Sequence, residues 1–347
     1  MALTAAVVAC DIPTEAPQWE QRWILPADRT TVGVEELLPA DVWVTPDRSA
    51  FTVQVDPLSF QESLGSLCPA CAPLEGLSVP KPAFEGEFHE SVELPEDVEA
   101  AEVRSGRVVV AARNGFGFDP IRPPGGSPGT ITLSLREGSP AGTLLAQVLV
   151  DGATTSFGPG TLLTRSLEYS GPVGATLVVT VTVDSPAGGL DSSHWIQVRL
   201  ANSLRVTATP QLLEVTSALI RVGGRSFDLI DTDLDVEGLE EELVERVRSG
   251  AFLFEISNPW SIGATFDLTV RGPTLGSPIV KTVSVPAASS STVVVEFTQE
   301  ELRSFLGKPG VTLSGRGTVA TGKDPITVTP LQVLTIETRL DLVLLVG

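Results

Sequence analysis

The strongest constraint on the fold is a strict alternation of valine and threonine within short runs. In the run 176–183, the valines from Val179 to Val183 lie on one side, and Thr180 and Thr182 lie on the other. Successive side chains of a β-strand point to opposite faces, so this run predicts a strand with one buried and one solvated face.

Runs of this kind recur from about residue 106 to the end of the chain, separated by turn sequences such as Gly125-Gly126-Ser127-Pro128-Gly129. Short strands with regular Gly and Pro punctuation are typical of antiparallel sandwiches. We therefore predict an all-β protein with two or three β-sandwich domains of Ig-like or jelly-roll-like type.

Three segments have helical signals. Asp56 as N-cap and Pro57 at the first helical position predict a short helix over 56–64. The segment Leu239–Arg248 carries an apolar stripe, and Thr298-Gln299-Glu300-Glu301 has the pattern of a capping box. The C-terminal region is therefore expected to contain two short helices.

We predict four segments along the chain. Residues 1–28 are a truncated signal and lipid tether, and 29–105 form an irregular β region with a short helix and a CxxC loop. Residues 106–210 form one sandwich, and 211–347 form a second one with two helices. The segments 206–219 and 326–340 resemble each other, which indicates either a duplication or a coincidence between two strands of similar composition.

Charge and composition exclude two classes of protein. Acidic residues outnumber basic ones 43 to 23, and the net charge of -20 repels nucleic-acid phosphates. Hydrophobic residues make up 42% of the chain, which is too many for a disordered protein.

The segment Val7-Val8-Ala9-Cys10 resembles the lipobox of bacterial lipoproteins. In that family a signal peptidase cleaves before the cysteine, and a lipid is attached to its sulfur. The residues before Cys10 are fewer than in a signal peptide and include no Lys or Arg, so we expect the true start to lie upstream. The alternative is an ordinary N-terminal cysteine in a cytosolic protein.

Cys68 and Cys71 form a C-x-x-C pair in a Pro-rich segment. In an exported protein the simplest interpretation is a structural disulfide. A redox dithiol and a metal site remain alternatives, although a Cys₂His₂ zinc site would use both histidines, His89 and His194. We expect no cofactor.

An acidic stretch gives a weak candidate for calcium binding. Asp231, Asp233, Asp235 and Glu242 match positions 1, 3, 5 and 12 of a calcium loop, but Val236 stands where the loop needs glycine. A strand with one acidic face explains the same alternation.

We expect no enzymatic activity. Asp191, Ser193 and His194 are close in sequence, but neighbouring strand residues point to opposite faces and do not form a triad by themselves. A hydrolase with an unrecognised site is the remaining catalytic alternative. Trp195 and Tyr169 are candidates for stacking on sugars, whereas Trp260 is assigned to the core.

The strand 252–257 ends at Asn258-Pro259 and is followed by two hairpin-forming strands and the spacer Ser289-Ser290-Ser291. This order resembles the LEA-2 (LEA14-like) β-sandwich over about residues 250–345. The resemblance implies a non-catalytic, Ig-like domain and transfers no catalytic residues.

Together these features predict a non-enzymatic lipoprotein of the bacterial cell envelope, in the periplasm or at the outer membrane. It would be anchored through Cys10 and serve a structural or binding role, with a protein or glycan partner and an oligomeric state that the sequence leaves open. A carbohydrate-binding or adhesin-type module is the alternative.

Overall fold

The computed structural model describes residues 18–234, 236, 238–322 and 324–346, and the side chains of these residues except 27, 28 and 229–231. Cys10 and the lipobox-like segment lie outside the described residues. The chain forms two compact units. We call 33–223 with 321–332 the N-unit, and 18–32 with 224–320 and 333–346 the C-unit.

The described residues contain 22 strands and three short α-helices. The strands are β1 (Trp19–Gly33), β2 (Val42–Val44), β3 (Phe51–Val53), β4 (Leu58–Ser63), β5 (Ser78–Val79), β6 (Phe84–Glu93), β7 (Val98–Asn114), β8 (Thr130–Glu137), β9 (Leu144–Asp151), β10 (Leu162–Gly174), β11 (Thr176–Ser185), β12 (Ile196–Gln197), β13 (Ser203–Pro210), β14 (Leu213–Ile220), β15 (Ser226–Asp233), β16 (Val247–Asn258), β17 (Ala264–Arg271), β18 (Ile279–Val285), β19 (Ser289–Phe297), β20 (Thr312–Val319), β21 (Ile326–Val328) and β22 (Val333–Val346). The α-helices are α1 (Leu64–Leu67), α2 (Glu241–Glu245) and α3 (Gln299–Phe305). Short 3₁₀ helices lie at Val34–Leu37, Pro69–Leu74 and Ser192–His194.

The predicted all-β class is confirmed. In the N-unit, one sheet has the order β2-β3-β14-β7-β13-β4, with β10 also paired to β7 and β21 to β14. A second sheet has the order β6-β11-β8-β9, and β5 pairs with β12. In the C-unit, the two sheets are β1-β22-β16-β19 and β15-β20-β17-β18. No helix among the described residues is long and apolar enough to span a membrane.

Each unit buries apolar side chains between its two sheets. In the N-unit, Phe60 of β4 meets Phe88 of β6 edge to face, with ring centroids 5.6 Å apart. In the C-unit, Phe254 of β16 meets Phe266 of β17 in the same way at 5.7 Å. Edge-to-face pairs of this kind add to the stabilisation that apolar burial provides.

The same strand arrangement occurs in both units. The six strands β6–β11 of the N-unit can be numbered from first to sixth in chain order. One sheet then has the order first, sixth, third, fourth, and in the other sheet the second strand pairs with the fifth. The strands β15–β20 repeat this order and pairing. The two units are thus two versions of one six-strand arrangement, each extended by further strands on its second strand.

The sequence similarity noted above matches this arrangement in part. Leu213–Leu219 lies in β14, which pairs with β7, and Leu334–Leu340 lies in β22, which pairs with β16. The preceding segments are not placed alike, because β13 pairs with β7 whereas β21 pairs with β14.

The chain divides differently from the sequence prediction. The predicted boundary at 105/106 falls inside β7, and the one at 210/211 falls between β13 and β14 within the N-unit. The region 29–105 supplies β2 and β3 to a sheet that also contains β14, so it does not stand alone. The C-unit is discontinuous, because β1 joins its sheet next to β22.

The helix predicted over 56–64 is wrong. Residues Leu58–Ser63 form β4, in which Phe60 pairs with Val206 of β13, so the backbone hydrogen bonds are made across strands. The helix α1 begins only after this strand, and Ser63 is its N-cap, accepting a hydrogen bond from the Ser66 N–H at 3.1 Å.

Three other predictions need smaller corrections. The helix expected over 239–248 is reduced to Glu241–Glu245, because β16 begins at Val247. Among the strand-like runs after residue 106, the run 195–200 forms a strand only over Ile196–Gln197. On β11, Thr180 was expected on a solvated face but is only 3% exposed.

Candidate functional site

Cys68 and Cys71 form a disulfide. Cys68 follows α1 directly, and Cys71 lies in the 3₁₀ turn that comes next. The Cys71 N–H donates to the Cys68 carbonyl at 2.8 Å, which folds the segment into a turn that brings the two sulfurs together. Both residues are buried, so the pair is not presented to a redox partner at the surface.

The segment around His194 does not form a catalytic triad. Asp191 caps the 3₁₀ turn, and its carboxylate accepts a hydrogen bond from the Ser193 N–H at 2.9 Å. This bond, more than the nearby His194, lowers the pKa of Asp191. The Nδ1 of His194 is buried and has no hydrogen-bond partner among the described residues. His89, the other histidine, is exposed on β6 opposite Thr180.

The three candidate aromatic residues have different environments. Trp195 is 45% exposed, and its indole N–H donates to the Leu190 carbonyl at 3.2 Å. Tyr169 is buried, which raises the pKa of its phenol, and its ring lies against Gly106, where a Cβ would come 2.5 Å from the ring. Trp260 is buried, as predicted. Of the two sugar-stacking candidates, only Trp195 presents a face to solvent.

The acidic stretch lies only partly within the described residues. Asp235 and the side chain of Asp231 fall outside them. Asp233 is exposed at the end of β15, and Glu242 is exposed on α2. Within the described part of the chain, no three Asp, Glu, His or Cys side chains gather as metal ligands.

Lys81 is a buried cation that the sequence analysis did not identify. It is 2% exposed, and its Nζ lies over the rings of Phe84 and Phe118, 5.6 Å from each ring centroid. The ammonium donates to the Pro186 carbonyl. Burial lowers the pKa of Lys81 to about 8, and the charge of nearby Asp119 counteracts part of this shift.

A polar groove of about 540 Å³ lies on the sheet β1-β22-β16-β19. We call it the C-unit groove. It is lined by residues from all four strands of this sheet: Arg29, Glu255, Ile256, Ser257, Ser290, Ser291, Thr292, Thr335 and Glu337.

Strand register explains why these side chains meet. Ser257 of β16 lies opposite Thr335 of β22 on one side and Ser290 of β19 on the other. These three residues form a row of hydroxyls across the sheet. All are small, so the row leaves a depression instead of a ridge.

The next row across the sheet carries the charges. Glu255 lies directly opposite Glu337, and Thr292 lies on the other side of Glu255. Like charges in such a pair repel each other. Arg339 lies 3.0 Å from the Glu255 carboxylate and 3.8 Å from that of Glu337, and Arg29 lies 3.7 Å from Glu337. The two carboxylates are therefore matched by two guanidinium groups.

Little in the local sequence predicts this groove. Ser289-Ser290-Ser291 resembled a polar spacer between strands, but it forms the first part of β19. The run of serines before an apolar stretch was the only local signal. The groove also depends on the register of β16 with β22. This register places Glu255 opposite Glu337, which lies about 80 positions later in the chain.

No protein-family model matches the sequence, and no curated protein is significantly similar to it. Among solved structures, a protein of Parabacteroides distasonis thought to be secreted aligns over 93% of this chain and 99% of its own, with 10% identity and a TM-score of 0.32. The PBSX exported protein XepA aligns over 87% of this chain and 95% of its own, with 10% identity and a TM-score of 0.19.

Proposed function

We propose that this protein is an exported, non-catalytic protein of the bacterial cell envelope, anchored by a lipid on Cys10, with a structural or binding role. The observation that carries the proposal is the buried disulfide between Cys68 and Cys71. Disulfides persist in oxidising compartments and are rare in the cytosol. The lipobox-like segment at 7–10 supports the same location.

Two features support a non-catalytic role. The carboxylate of Asp191 is engaged by the Ser193 backbone, so it does not orient His194 as the acid of a triad would. We also propose that the C-unit is a LEA-2-like domain, for which no catalytic residues are expected. The strand ending at Asn258-Pro259 and the antiparallel hairpin β17–β18 that follows it support this assignment.

The experiment for this proposal is lipid labelling of the full gene product in a bacterial host. We expect radiolabelled palmitate to be incorporated, the protein to fractionate with membranes, and Cys10→Ala to abolish both. The matched control is the pair Cys68→Ser and Cys71→Ser, which should keep the lipid. Labelling that is absent from the natural sequence would reject the anchor.

A carbohydrate-binding module is the second candidate, and the exposure of Trp195 favours it. The hydrogen bond from its indole N–H to the Leu190 carbonyl restricts the orientation of the ring. An aromatic ring that is both oriented and exposed suits stacking on a sugar face. Trp195→Ala should then abolish binding to a glycan array while leaving the unfolding curve nearly unchanged. Glycan binding that is indifferent to this substitution would reject Trp195 as the platform.

A further inference from the structure

The C-unit groove has a composition that differs from the usual small-molecule pocket. Its volume of about 540 Å³ lies within the range of ligand sites. Such sites are mostly lined by apolar and aromatic side chains. Here the lining is made of hydroxyl and charged groups, with Ile256 as the one aliphatic residue.

The charges in the groove compensate one another. Arg339 contacts both Glu255 and Glu337, and Arg29 contacts Glu337 from the neighbouring strand. A free cation would compete with two arginines for these carboxylates, and a free anion would compete with two carboxylates for the arginines. The groove therefore favours a ligand without net charge.

Hydrogen-bonding groups remain available in the groove. Ser257, Ser290 and Thr292 are exposed on its floor, and each hydroxyl can both donate and accept. The carboxylates add acceptors with lone pairs beyond those that the arginines engage.

We propose that the C-unit groove binds a neutral, polyhydroxylated ligand, namely a short oligosaccharide. Sugar hydroxyls act as donors to carboxylates and as both donors and acceptors to serine and threonine, so they match this set of groups. The proposal rests on the proposed function only in treating the protein as a binding protein, and its site is separate from Trp195.

The test is a matched pair of groove-filling substitutions. Ser257→Trp places a large ring in the groove, and Ser284→Trp places the same ring at an exposed serine of β18, on the other sheet of the C-unit. Both variants should unfold at urea concentrations close to that of the wild type. Binding is measured by titration with neutral oligosaccharides selected from a glycan array.

We expect the wild type and Ser284→Trp to bind the same oligosaccharides, and Ser257→Trp to bind them at least tenfold more weakly. The proposal is overturned if no neutral oligosaccharide binds, or if Ser257→Trp leaves the affinity unchanged. Loss of binding in Trp195→Ala but not in Ser257→Trp would also overturn it, in favour of the other site. Lipid labelling at Cys10 is unaffected by any of these results, so the two proposals fail separately.

Discussion

Asn114 and Asn258 occupy the same place in the two units and make the same three hydrogen bonds. Each is the last residue of the second strand of the six-strand arrangement in its unit, β7 or β16. Each side chain is buried, at 0% and 4% exposure. Each accepts a hydrogen bond from the backbone two residues later and donates to two carbonyls, one of them four residues later.

In the N-unit, the Asn114 Oδ1 accepts from the Phe116 N–H at 2.8 Å. Its Nδ2 donates to the carbonyls of Phe118 and Phe157 at 2.9 and 2.6 Å. The side chain thus holds the loop after β7 against the segment before β10.

In the C-unit, the Asn258 Oδ1 accepts from the Trp260 N–H at 3.0 Å. Its Nδ2 donates to the carbonyls of Ile262 and Pro286 at 2.9 and 2.8 Å. The loop after β16 is thereby fixed to the turn before β19. The asparagine of the Asn-Pro motif consequently has a structural role, which Asn114 shares although glycine follows it.

We predict that Asn114→Ala and Asn258→Ala each destabilise the unit that contains them by about 2–4 kcal/mol. Each substitution removes three hydrogen bonds and leaves buried backbone groups unpaired. Urea unfolding measures the effect. The control, Gln147→Ala on the exposed edge of β9, should change the stability by less than about 0.5 kcal/mol. An alanine at either asparagine that behaves like this control would contradict the assigned role.

Lys81 predicts a pH dependence of stability. Folding lowers its pKa from the ordinary value of 10.5 to about 8, mainly by burial. Between these pH values the folded protein binds fewer protons than the unfolded chain, so stability rises with pH in this window. Below pH 8 the free-energy cost of burying the charged ammonium is fully present. Deprotonation towards pH 10.5 removes at most about 3 kcal/mol of this cost.

The measurement compares the unfolding free energies of the wild type and Lys81→Met at pH 7.5 and pH 10. The unfolding free energy of the wild type should increase relative to that of Lys81→Met as the pH rises. Other groups titrate equally in both proteins and cancel in the difference. A difference that stays constant across this range would show that Lys81 titrates normally.

The disulfide should resist reagents until the N-unit unfolds. In a Cys10→Ser background, Cys68 and Cys71 are the remaining cysteines, and both are buried. After treatment with a phosphine reductant and maleimide, we expect the native protein to carry no label. The protein treated in urea should carry two labels. Because the bridge closes only a short loop, its removal should cost about 2 kcal/mol. Rapid labelling under native conditions would contradict the burial of this pair.

The capping box predicted at Thr298 is present. The Thr298 hydroxyl accepts from the Glu301 N–H at 3.2 Å, and the Glu301 carboxylate accepts from the Thr298 N–H at 2.8 Å. We expect Thr298→Ala to destabilise the C-unit by about 1 kcal/mol. The control is Thr292→Ala, at an exposed position of β19. In urea unfolding, it should lower the free energy of unfolding by less than Thr298→Ala does.

Local patterns predicted the class of structure and many of the strands. The alternation in β11 and the capping box of α3 depend on residues that are close in sequence, so they could be read directly. The Asp56-Pro57 signal failed because β13 offers β4 a full set of cross-strand hydrogen bonds. Tertiary pairing of this kind outweighs a weak local preference.

The division into units and the candidate site could not be predicted in the same way. The pairing of β1 with β22 makes the C-unit discontinuous, and the Glu255–Glu337 pair depends on the register of β16 with β22. Neither relationship leaves a local signal. The burial of Lys81 likewise arises from Phe118 and Pro186, which are distant in sequence.

We have proposed that the protein is exported and anchored by a lipid on Cys10. The most direct test is mass spectrometry of the N-terminal peptide of the protein purified from bacteria that express the full gene. We expect a mature chain that begins at Cys10 and carries a diacylglyceryl group on its sulfur. An unmodified Cys10 with the upstream residues still attached would contradict it.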